Sequence, residues 1–109
     1  MKLIMAIVQD NDAQHLISNL IKNGFQSTKL ASTGGFLRSG NTTLMIGTDD
    51  SKLQKAMDII EKTCKSRKQI STVPPPMNTN APQMNPYPVE VSIGGATVFV
   101  LNVEESVKF

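Results

Sequence analysis

The glycine-rich residues 33–40 and the polar residues beside them form the most chemically informative pattern in the sequence. Their glycines leave backbone N–H groups uncovered, and consecutive amides of this kind can form a concave site for an anion. Asn41 follows, and its side-chain donor and acceptor match the N6 and N7 edge of adenine. Phe36 offers an apolar face for a purine ring. Gly47, without a side chain, lets a flat ligand approach the backbone closely. The pattern suits a purine attached to phosphate, although two glycines between strands more often mark a hairpin turn.

The remaining reactive side chains do not form a catalytic or metal-binding pattern. His15 is the single histidine and Cys64 the single cysteine, so no Cys/His cluster has the spacing of metal ligands. Asp10 and Asp12 form a carboxylate pair, which we interpret as capping residues of a helix. The sequence has neither a phosphate-binding loop with its lysine nor a nucleophile elbow. We therefore expect no catalysis, no metal and no cofactor.

Length and composition favour a small protein of the cytoplasm. The 109 residues are enough for one domain, residues 1–109, and the net charge of +2 does not favour bulk nucleic-acid binding. One cysteine fits a reducing compartment. The apolar run at residues 3–8 is too short for a signal peptide or a membrane span. Residues 13–48 contain no acid, which suits an anionic ligand but also arises by chance on solvated surfaces.

Hydrophobic spacing predicts the elements of the first half of the chain. Residues 3–8 are apolar on both faces of a strand. A first helix follows and ends at Asn23 and Gly24. Strands are predicted at residues 25–32 and 41–47, and a second helix is capped by residues 49–51. That helix has a buried stripe of Leu53, Ala56, Met57 and Ile60.

The second half contains a long proline-rich segment and two more strands. Residues 69–88 hold all six prolines and predict a long loop. Strands at residues 89–93 and 96–103 are joined by Gly94 and Gly95, which predicts a hairpin. The order gives an α+β class and a ferredoxin-like βαββαβ fold, with a long loop and a hairpin before the last strand.

One face of such a sheet is left without helices. Because the first and last strands are apolar on both sides, this open face predicts a symmetric oligomer with its sheets packed inward. The alternative is that the proline-rich segment covers the face within one chain.

Several long strings resemble one family. They are TKLASTGGFL at residues 28–37, GNTT at 40–43, PYPVEV at 86–91 and GGATVFV at 94–100. Together they resemble the PII-like cyclic di-AMP receptor family, over essentially the whole chain. The resemblance implies a homotrimer that binds cyclic di-AMP in clefts between subunits, without catalysis, and signals to a protein target by loop rearrangement.

The resemblance also assigns roles to individual residues. It implies that Thr28, Asn41 and Gly47 recognise adenine, and that Phe99 packs against the second base. The phosphates and the apolar pocket wall are assigned to Gly35, Phe36 and Leu37. Two positions depart from the family pattern: Gln26 stands where members often carry arginine, and Lys108 where they often carry glutamine.

Three other functions share this fold. A PII-like sensor of another adenine nucleotide would use the same residues. A small phosphate-ester hydrolase could hold phosphate and water with Arg38 and Asn41, but the chain lacks a positioned base. An RNA-binding module would need aromatic side chains on the first and third strands, and neither strand has one.

Overall fold

A computed structural model describes residues 1–30, 40–72 and 88–109. Within these ranges the elements are β1 (Lys2–Gln9), α1 (Asp10–Lys22), β2 (Ser27–Leu30), β3 (Asn41–Thr48), a 3-10 helix (Asp50–Lys52), α2 (Leu53–Cys64), β4 (Arg67–Thr72), β5 (Pro88–Ile93) and β6 (Ala96–Asn102).

Four of the strands form one antiparallel sheet in the order β2-β3-β1-β6. This order confirms the predicted α+β class and the ferredoxin-like arrangement, in which β1 lies between β3 and β6. The register pairs Ala6 with Leu44 on one side and with Val98 on the other. Strand β1 therefore has a neighbour on each edge, as expected for the continuous apolar run at residues 3–8 in the centre of a sheet.

The two faces of β1 are buried to different extents. Ile4, Ala6 and Val8 are fully buried against the helices, whereas the alternate residues Leu3, Met5 and Ile7 are half-buried. The helices complete the core with residues at helical spacing: Ala13, Leu16 and Leu20 from α1, and Ala56, Ile60 and Cys64 from α2. Both helices therefore cover one face of the sheet, as predicted.

Both helices begin differently from the prediction. The N-cap residue of α1 is Gln9, and no side chain caps the helix, so Asp10 and Asp12 lie inside the first turn. There the positive N-terminal end of the helix dipole still stabilises their negative charges. At the second helix, the 3-10 helix precedes α2 and Lys52 occupies the N-cap without a side-chain bond. The interpretation of these acidic residues as side-chain caps was wrong.

The prediction was also wrong about the strands around the proline-rich segment. Residues 69–72 and 88, expected in a loop, belong to β4 and β5, which pair with each other as a separate two-stranded ribbon. Consequently β5 and β6 do not form the predicted hairpin. Gly94 and Gly95, with φ of 78° and 97°, instead carry the chain from the ribbon into the main sheet.

Two smaller features concern element length. Strand β2 begins at Ser27 rather than at residue 25, because Phe25 is buried in the core after the turn at Gly24. Helices α1 and α2 have 13 and 12 residues. In the described ranges, therefore, neither is long enough to cross a bilayer, which takes about 20 residues.

Candidate functional site

Three of the predicted site residues lie around one shallow cavity on the open face of the sheet. Gln26, Thr28 and Gly47 line a space of about 320 Å³. The other described residues of its lining are Met1, Leu3 and Met45. The lining therefore combines apolar side chains with a hydroxyl, an amide and an exposed glycine backbone, a combination found in small-molecule sites.

The sheet register explains this grouping. Thr28 on β2 pairs with Met45 on β3, and both lie on the face away from the helices. Gly47 lies two residues further along β3 and is exposed. A Cβ atom there would lie 3.2 Å from Met1 Cε. A side chain at this position would require the end of the Met1 side chain to shift by a few tenths of an ångström and would occupy space beside the cavity.

Gln26 also borders a second cavity, of about 260 Å³, on the other side of Gly47. Asp49 and Lys52 contribute to its lining. Lys52 therefore borders the same cavity as Gln26, the position where the sequence departs from the arginine of the family pattern. Sequence reasoning missed Lys52 because it stands in an ordinary polar run before α2.

Asn41 lies at the opposite end of β3. It pairs with Gln9, whereas Gly47 pairs with Leu3. Asn41 and Gly47 are six positions apart on an extended strand, a distance of about 20 Å. One protomer thus brings Thr28, Gly47 and Gln26 together and does not bring Asn41 to them.

Phe99 occupies the far edge of the same face. It pairs with Met5 on β1, which pairs in turn with Met45, the partner of Thr28. The four residues form a single row across the sheet, from β2 to β6. Phe99 is 55% exposed, so its ring presents a large apolar surface that nothing in the described residues covers.

The remaining predicted positions are divided between two regions. Gly35, Phe36 and Leu37 lie outside the described residues. Lys108 is exposed in the stretch that follows β6.

Another cavity, of about 400 Å³, lies between α2 and β6, and none of the predicted site residues that the structure describes lines it. Its described lining includes Met57, Ile60, Ala96 and Val98, with Lys65 nearby. It opens on the helical side of the sheet. It is therefore separate from the group around Thr28 and Gly47.

The carboxylates at the start of α1 form contacts that the sequence did not predict. Arg67 donates to both oxygens of Asp12, at 2.8 and 3.3 Å, and this hydrogen bond raises the pKa of Arg67. The Thr42 hydroxyl donates to Asp10. These partners are 55 and 32 positions away in the chain, so spacing alone gave no signal of them.

Fold and surface together define a small α+β protein with a cavity on an open sheet face. A family model described as "Cyclic-di-AMP receptor" matches residues 1–109. The chain belongs to the cyclic-di-AMP receptor family, and as a member of a receptor family it is not an enzyme. It is also similar to a functionally unknown protein from Pediococcus pentosaceus ATCC 25745 whose crystal structure is solved. The two are 42% identical, the match covers 99% of this chain and 96% of that chain, and the TM-score is 0.76.

Proposed function

We propose that this protein is a cytoplasmic receptor that binds cyclic di-AMP in clefts between the subunits of a homotrimer and reports occupancy to a protein target. The observation that carries the proposal is the match of the receptor family model to every residue from 1 to 109. The positions of Thr28, Gly47 and Asn41 on the open face support it, and they also indicate why a second copy is needed.

The separation of the site residues favours a site built by two subunits. Thr28 and Gly47 lie at one end of the open face, and Asn41 lies about 20 Å away at the other end of β3. In a closed ring each interface joins two different surfaces of neighbouring copies. One end of the face then meets the opposite end of the next copy, and every interface forms one complete site.

Each residue then has a role that suits its chemistry. The Asn41 amide reads the N6 and N7 edge of adenine, and Thr28 with the bare backbone of Gly47 borders the base. Phe99 packs against the second base. Residues 35–37 bind the phosphates through backbone amides, and Lys52 adds positive charge beside Gln26.

Calorimetric titration tests the ligand and its mode of recognition. The protein is titrated with cyclic di-AMP, cyclic di-GMP and ATP, and we expect tight binding of cyclic di-AMP alone. Asn41→Ala removes a donor and acceptor pair worth about 1–3 kcal/mol, which corresponds to about a 5- to 150-fold weaker Kd. The loss should be specific for the adenine dinucleotide.

Asn11→Ala is the matched control, because Asn11 is an exposed asparagine on the first turn of α1. It should bind cyclic di-AMP like the wild type. Preference for ATP over cyclic di-AMP would replace the proposed ligand with another adenine nucleotide. Equal Kd values for Asn41→Ala and Asn11→Ala would remove Asn41 from the site.

A further inference from the structure

The junction between β1 and α1, residues 9–12, makes side-chain contacts with three separate parts of the chain. The Gly94 N–H donates to Gln9 Oε1 at 2.8 Å. The Thr42 hydroxyl donates to Asp10, and Arg67 donates to both carboxylate oxygens of Asp12. No other short stretch of the described residues has side-chain hydrogen bonds to three different elements.

These contacts lie at the start of β3 and at the β4–β5 ribbon. The Asp10 N–H donates to the Gly40 carbonyl oxygen at 2.8 Å, and Gly40 immediately precedes Asn41. Arg67 is the first residue of β4, and Gly94 directly follows the last residue of β5. Arg67 pairs with Ile93, so both contacts lie at one end of the β4–β5 ribbon, and the junction therefore touches the start of β3 and the base of the ribbon.

Parts of this junction and of the segments that it contacts are closely packed. Asp12 is 5% exposed, and Thr42 is buried as well. On the ribbon side, a Cβ at Gly94 would lie 2.9 Å from the Lys65 carbonyl oxygen, so the turn is in direct contact with the end of α2. A densely packed, hydrogen-bonded contact deforms little. A displacement of the residues on one side of it is therefore transmitted to the residues on the other side.

We propose that Gln9 is a positioning residue that couples ligand occupancy at the start of β3 to the order of the β4–β5 ribbon. Gln9 is the register partner of Asn41, and its side chain accepts the Gly94 N–H. Asn41 and Gly94 are thus linked through one residue that itself has no assigned contact with the ligand. The inference rests on the proposed cyclic di-AMP function and adds the route by which binding reaches the ribbon.

Hydrogen–deuterium exchange with and without saturating cyclic di-AMP tests the coupling. In the wild type, we expect the ligand to slow exchange at least fivefold both in residues 41–48 and in residues 88–95. Gln9→Met keeps the length of the side chain but removes the amide acceptor. It should retain the slowing in residues 41–48 and reduce that in residues 88–95 to less than twofold.

Two further variants keep the result interpretable. Gln54→Met is the matched control, because Gln54 is exposed on α2 and bonds only locally, to Asp58 at 2.8 Å, in the described residues. It should respond like the wild type. Arg67→Met cuts the second contact between the junction and the ribbon and should also weaken the response of residues 88–95, even if Gln9→Met fails to fold.

The outcomes separate this inference from the proposed function. Calorimetry on the same samples reports binding directly. If wild type and Gln9→Met both bind cyclic di-AMP and show the same slowing in residues 88–95, the coupling is wrong while the receptor function stands. If the wild type does not bind cyclic di-AMP, both are overturned.

Discussion

The thiol of Cys64 is fully buried at the end of α2, beside the ion pair of Asp12 and Arg67. Burial raises the pKa of this thiol to about 11, from an ordinary 9.0; the Asp12 carboxylate adds to the rise and Arg67 opposes it. Between these two pH values the unfolded chain loses the proton that the folded chain keeps. The free energy of unfolding should therefore be unaffected by this group below pH 9 and fall as the pH rises from 9 to 11.

Urea denaturation at pH 8 and pH 10.5 measures this effect in the wild type and in Cys64→Ala. The two proteins differ only at residue 64, so the difference between their losses of stability reports on the thiol. The free energy of unfolding should fall less between pH 8 and pH 10.5 in Cys64→Ala than in the wild type. This holds even if the substitution itself lowers stability at pH 8. Equal alkaline losses would mean that the thiol does not keep its proton in the folded protein.

At the residue scale, the sequence identified side chains better than it identified their partners. Residue type pointed to Gly47 and the family resemblance to Thr28, and the structure places both at one cavity. The pairing of Asp12 with Arg67 is not readable, because it spans 55 positions and arises only when β4 leaves the end of α2. A carboxylate near a predicted helix start is readily interpreted as a cap. This interpretation left the ion pair of Asp12 with Arg67 unpredicted.

The turn at Gly94 sets how the ribbon joins the main sheet. Its φ of 78° disfavours any side chain, and a Cβ there would also lie 2.9 Å from the Lys65 carbonyl oxygen and 3.2 Å from that of Cys64. Gly94→Ala should therefore combine backbone strain of about 1–2 kcal/mol with a steric clash. Thermal denaturation should show a clear loss of stability.

Gly24→Ala provides the comparison, because Gly24 has a similar φ of 84° and nothing lies within 4 Å of its added Cβ. It carries the strain without the clash. We expect the melting temperature to fall distinctly further in Gly94→Ala than in Gly24→Ala. Similar melting temperatures would show that the turn moves away from α2 at little cost.

At the element scale, periodicity predicted which segments are strands but not which strands pair. Alternating apolar residues on either side of two glycines have the pattern of a hairpin whether or not the flanking strands bond to each other. Here β5 pairs with β4 and β6 pairs with β1, because β6 completes the sheet beside the most apolar strand. The short strand β4 was not predicted because five of its six residues are polar and because it lies just before the prolines.

At the scale of the whole molecule, the open sheet face is the feature that the sequence predicted most directly. Leu3, Met5 and Ile7 alternate with the buried residues of β1 and are only half-buried in one protomer. On β6, Phe99 and Leu101 extend the same apolar face. Sequence patterning gives the polarity of a face, but the geometry of the partner that covers it depends on shape, which patterning does not encode.

Leu101→Asp tests whether a second copy covers this face. Leu101 pairs with Leu3 and is 44% exposed in the single protomer, so a charge there should not prevent folding. In a packed interface the same charge would be buried without a partner, at a cost of several kcal/mol. We expect the wild type to sediment at about three times the 11.9 kDa of the chain, and Leu101→Asp to sediment as a folded monomer.

Ile70→Asp is the control for added charge, since Ile70 is 75% exposed on the β4–β5 ribbon, away from the open face. It should remain a trimer and bind cyclic di-AMP. Because Asn41 and Gly47 lie at opposite ends of β3, the Leu101→Asp monomer should lose binding although every site residue is intact. A monomer that binds cyclic di-AMP with wild-type affinity would place the whole site within one chain, and a Leu101→Asp trimer would place the interface elsewhere.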